Sequence, residues 1–340
     1  MAAPQNDRTE APLLGLVGDV GGTNARFALA RRRDGRLAVD NPVTYRAADY
    51  PSGDAAVAAY LTDLKLEAPP AFAVVAAAGP IEDGAVVFTN NTAWRFSESG
   101  LVKTGGFSRA RLINDFTAQA LAIEHLQDAD LRHVGGPAQR PPKGTAAILG
   151  PGTGFGVAAR VDDGRHVAIL TGEGGHTGFA PEDETEVEIL RRLMARYGRV
   201  SIERVMSGPG LLNLYQTLAE LGGERAVCTE PDQITRQALT GEPLCRLALE
   251  RFCAILGSVC GDFALAYGAK AGVYVSGGIA PGIIAVLAAS EFRSRFEAKG
   301  RMSDYLKPIP TFVVTQPHTA LIGAASLLVG LARGNEASAG

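Results

Sequence analysis

Two stretches of this 340-residue chain set reactive side chains among glycines. Thr171-Gly172-Glu173-Gly174-Gly175-His176-Thr177-Gly178 holds a carboxylate and an imidazole three residues apart among four glycines. Glycine removes competing side chains and lets backbone approach a ligand closely, so Glu173 and His176 can converge on one small molecule. The pair is too sparse for zinc, with no third ligand nearby, and no structural zinc is expected. The other stretch places Asp19 at the end of an apolar strand, Leu13–Val20, ahead of Gly21-Gly22-Thr23-Asn24. One reading is an ordinary polar hairpin turn. The other is a phosphate site, with turn amides holding the oxygens. Asp19 then faces the accompanying Mg2+ through water, since that ion keeps much of its hydration shell. Neither a P-loop nor a strict dinucleotide fingerprint is present.

Three further positions carry two readings each. Asp115 follows the strand-like Leu112-Ile113-Asn114 and precedes a helical pattern, Thr117–Leu126. It is therefore either an N-cap, for which Asp is favoured, or a carboxylate presented from a strand-to-helix junction. Asn90, in Thr89-Asn90-Asn91-Thr92-Ala93-Trp94, is a turn residue that bonds backbone or else a sugar contact. Gly277-Gly278 ends a buried strand starting near Gly272, and in open α/β sheets ligands bind at the carboxyl ends of strands. Glu203, in Val200–Gly210, reads by itself as a surface residue.

The elements that must position these groups show a repeat. Leu16–Asp40 and the stretch from Ile148 both read as strand, Gly-Thr turn, strand, Asp-Gly hairpin, strand. Gly22-Thr23 matches Gly152-Thr153 and Asp34-Gly35 matches Asp163-Gly164, the copies lying about 130 residues apart. Two such loops, half a chain apart, point to a duplicated protein holding a ligand between its halves. Ala55–Leu64 reads as helix and Phe72–Ala78 as buried strand. Asp183–Tyr197 is a helix with an acidic start, Arg191, Arg192 and Arg196 late, and Gly198 as stop; its charges read as a solvated face. Leu244–Lys270 is largely helical, Phe312–Thr315 a last strand and Thr319–Leu331 a closing helix. Gly135–Lys143 is a proline-rich connection near a domain boundary.

Length and composition bound the rest. A chain of 340 residues, 46% hydrophobic and 20% charged, reads as a globular protein of two domains. A net charge of −3 gives no footprint for nucleic acid or an anionic membrane. Cys228, Cys245, Cys253 and Cys260 lack metal or secreted-scaffold spacing and read as reduced thiols. The first residues lack a signal-peptide pattern, so a cytoplasmic protein is expected. The uncharged run Ala271–Ser290 contains Ser276-Gly277-Gly278 and Pro281-Gly282, which makes it strand, turn and helix instead of a membrane span.

Taken in order, DVGGTNARFAL, AAAGPI, TNNTAW, LINDFTAQA, GPGTGFGVA, TGEGGHTGFAP, ERVMSGPG and SGGIAPG give the chain a pattern that resembles the bacterial glucokinases of the hexokinase and actin-like ATPase superfamily. The resemblance runs from Leu16 to about Leu331. It implies a two-domain α/β actin-like, ribonuclease H-like fold with a cleft between domains, residues 1–115 plus about 318–340 forming the small domain and 116–317 the large one. It also implies ATP-dependent phosphorylation of the 6-hydroxyl of glucose. By that likeness Asp115 is the base, and Asn114, Asp115, Glu173, His176 and Glu203 hold the sugar. Asp19, Gly21, Gly22, Thr23 and Asn24, with Gly152, Thr153 and Gly154, flank the phosphates of ATP and its Mg2+, and Gly277-Gly278 lies beside the adenosine. A kinase for another hexose, and a non-catalytic sugar or nucleotide sensor on the same fold, stand as alternatives, and a homodimer is compatible with either. Related sugar kinases and repressors carry a cysteine-rich zinc motif after the histidine, which is missing here. A repressor would also need a DNA-binding module before Asp19.

Overall fold

The computed structural model describes residues 12–66, 68–88 and 91–332. The chain forms two units, Met1–His125 with Pro317–Gly340, and Leu126–Gln316. The first contains β1 (Leu13–Val20), β2 (Asn24–Arg33), β3 (Arg36–Arg46), α1 (Gly53–Leu64), β4 (Phe72–Ala77), β5 (Ile81–Glu82), β6 (Ala85–Phe88), β7 (Asn91–Ser97), α2 (Glu98–Gly105), β8 (Arg109–Asn114), α3 (Asp115–Ala122) and the closing helix Thr319–Ala332. Its five-stranded sheet has the order β3-β2-β1-β4-β8. β1 pairs antiparallel with β2 and parallel with β4, which pairs parallel with β8. Alternation along β1 sends Leu16 to one face, with Phe27, Tyr60 and Trp94, and Val17 to the other, with Ala118, Leu321 and Leu328.

The unit boundary falls after His125, ten residues beyond the expected Asp115, because α3 packs on the closing helix. Gly323 permits that approach: a Cβ there would lie 1.7 Å from the Ala118 carbonyl oxygen. Asn91–Trp94 also departs from the turn reading. Asn91 already begins β7, and buried Trp94 donates its ring N–H to the Tyr50 carbonyl at 2.9 Å. Asn90 lies outside the described residues.

The second unit contains β9 (Leu131–Gly135), β10 (Ala146–Pro151), β11 (Phe155–Asp162), β12 (Val167–Gly172), α4 (Glu184–Tyr197), α5 (Gly208–Gly222), α6 (Pro231–Thr240), α7 (Pro243–Tyr267), β13 (Val273–Val275), α8 (Ile284–Ala289), α9 (Phe292–Glu297), α10 (Ser303–Leu306) and β14 (Thr311–Val314). Its sheet, β12-β11-β10-β13-β14-β9, repeats the first unit's order and directions and adds antiparallel β9 at the far edge. The duplication therefore covers five strands in each unit, two more than the sequence repeat reveals. The hairpins differ. Asp34 and Gly35 form a two-residue loop with φ of 50° and 79°, the conformation Asp-Gly favours. The second loop runs from Asp163 to His166, because the Asp163 carboxylate takes the amides of Arg165 and His166, both at 2.7 Å. Four residues are needed there, not two.

The charges of α4 are not all solvated. Asp183 caps the helix by accepting the Glu186 amide at 2.8 Å, and Gly198 follows with φ 73°. The Glu186 side chain is fully buried. It accepts from Arg251 of α7 and Arg295 of α9 at 2.9 Å, and from its own loop through the Glu182 amide at 2.8 Å. Glu182 in turn pairs with Arg295 at 3.0 Å and Lys299 at 2.7 Å. Cys228, Cys245, Cys253 and Cys260 are free and buried in the core beneath the sheet. The Ala271–Ser290 run is strand, turn and short helix, as its turn residues require. Among the described residues no helix is long and apolar enough to cross a membrane.

Two substitutions test this frame. Glu186→Ala removes the fully buried carboxylate that Arg251 and Arg295 share, leaving them only Asp183 and Glu182 as acidic partners among the described residues, and should cost about 3 kcal/mol. A thermal melt should show a midpoint lower by roughly 10 °C, and an unchanged midpoint would remove the network from the fold's support. Gly323→Ala should overpack the seat of α3 by about 1–3 kcal/mol, again read as a lower midpoint; a neutral result would mean that the helices separate freely.

Candidate active site

In the first unit the site groups lie at the carboxyl ends of three parallel strands. Register places Asp19 beside Ala76 and Ala77 beside Asn114, and the Ala78 amide closes the row on the Val20 carbonyl at 2.9 Å. Gly21-Gly22-Thr23 is the whole connection from β1 to β2. Its first amide bonds the Asn24 carbonyl at 2.9 Å, whereas the Gly22 and Thr23 amides form no hydrogen bond within the described residues. Two amides that the described residues leave without an acceptor suit an anion. Asp19 sits across from Arg26, 3.9 Å away, with 34% of its side chain exposed. Burial pushes its carboxyl above the ordinary carboxylate range, and Arg26 pulls part of the way back. A carboxylate oxygen at this position suits a hard divalent cation.

The β8–α3 junction revises the reading of Asp115. The cap is Asn114, whose Oδ1 accepts the amides of Phe116 at 2.9 Å and Thr117 at 3.2 Å. Asn114 wins because it keeps extended backbone, φ −64° and ψ 148°, while Asp115 is already helical. Asp115 is the first residue of the helix, half-buried, with Oδ1 on the Phe116 amide at 2.9 Å. With its Oδ1 committed to the helix, Asn114 keeps its amide protons for a ligand.

In the second unit three loops meet at one turn. Gly152-Thr153-Gly154 joins β10 to β11, and the Thr153 and Gly154 amides form no hydrogen bond within the described residues. The next amide, Phe155, donates to Glu203 Oε2 at 3.0 Å. The carbonyl of the same residue is abutted by Gly175, where a Cβ would lie 2.1 Å away. Gly175 belongs to the turn that carries Glu173 and His176, whose Oε2 and Nε2 stand 4.0 Å apart with side chains 64% and 60% exposed. The loop after this turn is tied to Glu203's own loop, through Thr177 carbonyl to Ile202 amide at 2.9 Å and Val200 carbonyl to Phe179 amide at 3.1 Å. Thirty residues of sequence separate Glu173 from Glu203, yet both loops rest on Phe155. Glu203 is thus not a free surface residue.

Gly277 and Gly278 follow β13 and run beside the same turn. Gly277, φ 89°, would place a Cβ 2.4 Å from the Pro151 carbonyl, whereas a Cβ on Gly278 meets nothing within 4 Å. The second unit therefore brings Gly152, Thr153 and Gly154 together with Gly277 and Gly278. Among the described residues no group of three or more His, Cys, Asp or Glu could hold a metal.

Two contributors are not legible as such in the sequence. Ser207 caps α5 through the Gly210 amide at 3.0 Å and also donates to the Glu203 carbonyl at 2.7 Å. Ser followed by Gly-Pro is a readable helix start, but nothing in it announces the bond to Glu203. Arg199 donates to the His176 carbonyl at 2.8 Å. No local pattern marks it, because its partner lies across a loop.

The Glucokinase family model matches residues 16–330. The chain is 54% identical to a glucokinase of Caulobacter sp. strain K31, over 92% of this chain and 94% of that one. It is 46% identical to a glucokinase of Chromohalobacter salexigens, over 92% and 97%. Among solved structures it is similar to a glucokinase from an Antarctic psychrotroph, with TM-score 0.82, 38% identity and coverage of 93% and 98%. A glucokinase of Balamuthia mandrillaris shares the fold, with TM-score 0.78 at 20% identity and 95% coverage of both chains. With two sheets of one topology, glycine turns at the ends of their first strands and this likeness over nearly its whole length, the chain belongs to the glucokinase family and is a sugar kinase of the actin-like ATPase fold.

Proposed function

We propose that the protein transfers the γ-phosphoryl group of ATP to the 6-hydroxyl of glucose (EC 2.7.1.2), in the cytoplasm, with Asp115 as general base. The observation that carries the role of Asp115 is the cap made by Asn114. The helix does not rely on Asp115 for its cap, and an acidic group is nonetheless placed at the carboxyl end of a parallel strand.

Phosphoryl transfer asks little covalent chemistry of a protein; it needs alignment, charge neutralisation and a group to take the hydroxyl proton. The Gly22 and Thr23 amides of one unit, and those of Thr153 and Gly154 of the other, supply donors to phosphate oxygens. Asp19 would hold Mg2+ through water, and the ion neutralises phosphate charge when bound. Gly278, open on its Cα side, leaves room for the adenosine. Glu173, His176 and Glu203 hold the sugar hydroxyls together with the Asn114 amide. A carboxylate at a helix N-terminus is a weak base, because the helix dipole favours its charged form. That suits a loose transition state, in which the hydroxyl becomes acidic only late.

Asp115→Asn separates the roles. The Asn114 cap survives, so the thermal midpoint should hold, and glucose should still bind. Turnover should fall on the order of 10²–10⁴-fold, the usual contribution of a positioned base. Near-normal kcat would force the search for a base elsewhere. Glu173→Ala should raise the KM for glucose roughly ten- to a hundredfold while leaving that for ATP nearly unchanged. Equal effects on both substrates would remove Glu173 from the sugar. A coupled assay with ATP, Mg2+ and a panel of hexoses completes the test: glucose should give the highest kcat/KM, and preference for another hexose would reassign the substrate.

A further inference from the structure

We propose that Glu203 couples sugar binding to nucleotide binding, with one carboxylate oxygen on the phosphate turn and the other on the sugar. The proposal rests on the reading above, in which glucose and ATP are the substrates. Its geometry lies wholly within the second unit. Glu203 Oε2 accepts the Phe155 amide at 3.0 Å, and no described residue hydrogen-bonds Oε1. The carboxylate reaches Phe155 only because residue 154 is glycine: a Cβ there would stand 2.5 Å from Oε2. Glu203's own backbone is pinned by the buried Ser207 hydroxyl at 2.7 Å. The turn has two further supports. Gly152 accepts the Gly208 amide at 2.8 Å, and Gly175, from the loop of Glu173 and His176, lies against the Phe155 carbonyl.

Beyond its own Gly152 amide to Gly154 carbonyl bond at 2.8 Å, the turn at Gly152–Phe155 is thus braced by the sugar loops and by the helix start that follows Glu203. A carboxylate accepting from an amide makes a stronger bond than a neutral acceptor. Glu203 is half-buried and its carboxylate is held only through Oε2 among the described residues, which leaves it rotamers to choose among. A hydroxyl donating to Oε1 removes that choice and fixes Oε2 on Phe155. The amides of Thr153 and Gly154 are then ordered before the nucleotide arrives, so less ordering entropy remains to be lost on its binding. By linkage the effect is reciprocal, and nucleotide must tighten sugar by the same factor.

The test is calorimetric titration of each protein with a non-hydrolysable ATP analogue and Mg2+, with and without saturating glucose. Glucose should tighten the analogue in the unsubstituted enzyme by about tenfold, within the usual range of such couplings. Glu203→Gln, which keeps the shape but loses the charge, should reduce the factor to roughly two or less. Gly154→Ala approaches the same contact from the other side, displacing only the end of a flexible side chain, and should have the same effect. Glu173→Gln should weaken glucose yet keep the tenfold factor once glucose saturates. Full coupling in both Glu203→Gln and Gly154→Ala, or its loss in Glu173→Gln at saturation, overturns the proposal. An unsubstituted enzyme that binds no glucose would instead overturn glucose as the substrate, a separate and visible failure.

Discussion

Close approach of backbone to backbone at the carboxyl end of β10 is the constraint on which the chemistry of the second unit depends. A Cβ on Gly150 would sit 1.9 Å from the Ser276 carbonyl oxygen, one on Gly277 2.4 Å from that of Pro151, and one on Gly175 2.1 Å from that of Phe155. At such distances any side chain forces the strands or loops apart. Three loops drawn from residues 150–155, 173–178 and 276–279 can touch only because each contributes a glycine at the crossing. What the glycines give up in chain entropy, they return as amides held in place with nothing bulky before them.

Rigidity for those loops comes from farther away. The buried Glu186 and its guanidinium partners join α4 to α7 and α9, and Glu182 extends the network to Lys299. The loop bearing Glu173 and His176 therefore ends in a region that cannot drift. Buried ion pairs gain little net stability over an apolar core, since desolvation offsets their attraction, but a partner once lost is costly. The network thus favours one docking of the helices over near alternatives, which is what loops built from glycine require of their surroundings.

The two units share a topology but divide the work. In the first, the row at the strand ends runs from Asp19 through Ala77 to Asn114 and Asp115, and every charged member is an acid save Arg26, which faces Asp19. In the second, the corresponding row carries no acid on its strands; carboxylates arrive instead on the loops of Glu173 and Glu203. One ancestral sheet serves both because what is repeated is a turn with unused amides, and side chains at its margin specialise it.

Much of this was legible without coordinates. The paired Gly-Thr turns, the Asp-Gly loop at Asp34-Gly35, the strand Leu13–Val20 and the Gly198 stop of α4 all follow from local rules, because each is settled by residues within a few positions of one another. Glu173 and His176 stood out for the same reason. Tertiary structure decided the rest. Asn114 rather than Asp115 caps α3 because the strand register set by β4 holds residue 114 extended. Glu186 is buried because α7 and α9 bring Arg251 and Arg295 to it, partners 65 and 109 residues away. Asp163 closes a four-residue loop where the same dipeptide closed two, since its carboxylate found two amides to bind. Glu203 looked like any exposed acid until Phe155, 48 residues earlier, supplied its hydrogen bond. Sequence determines what neighbours along the chain can agree on; a carboxylate's partner across the fold is chosen by the packing that delivers it.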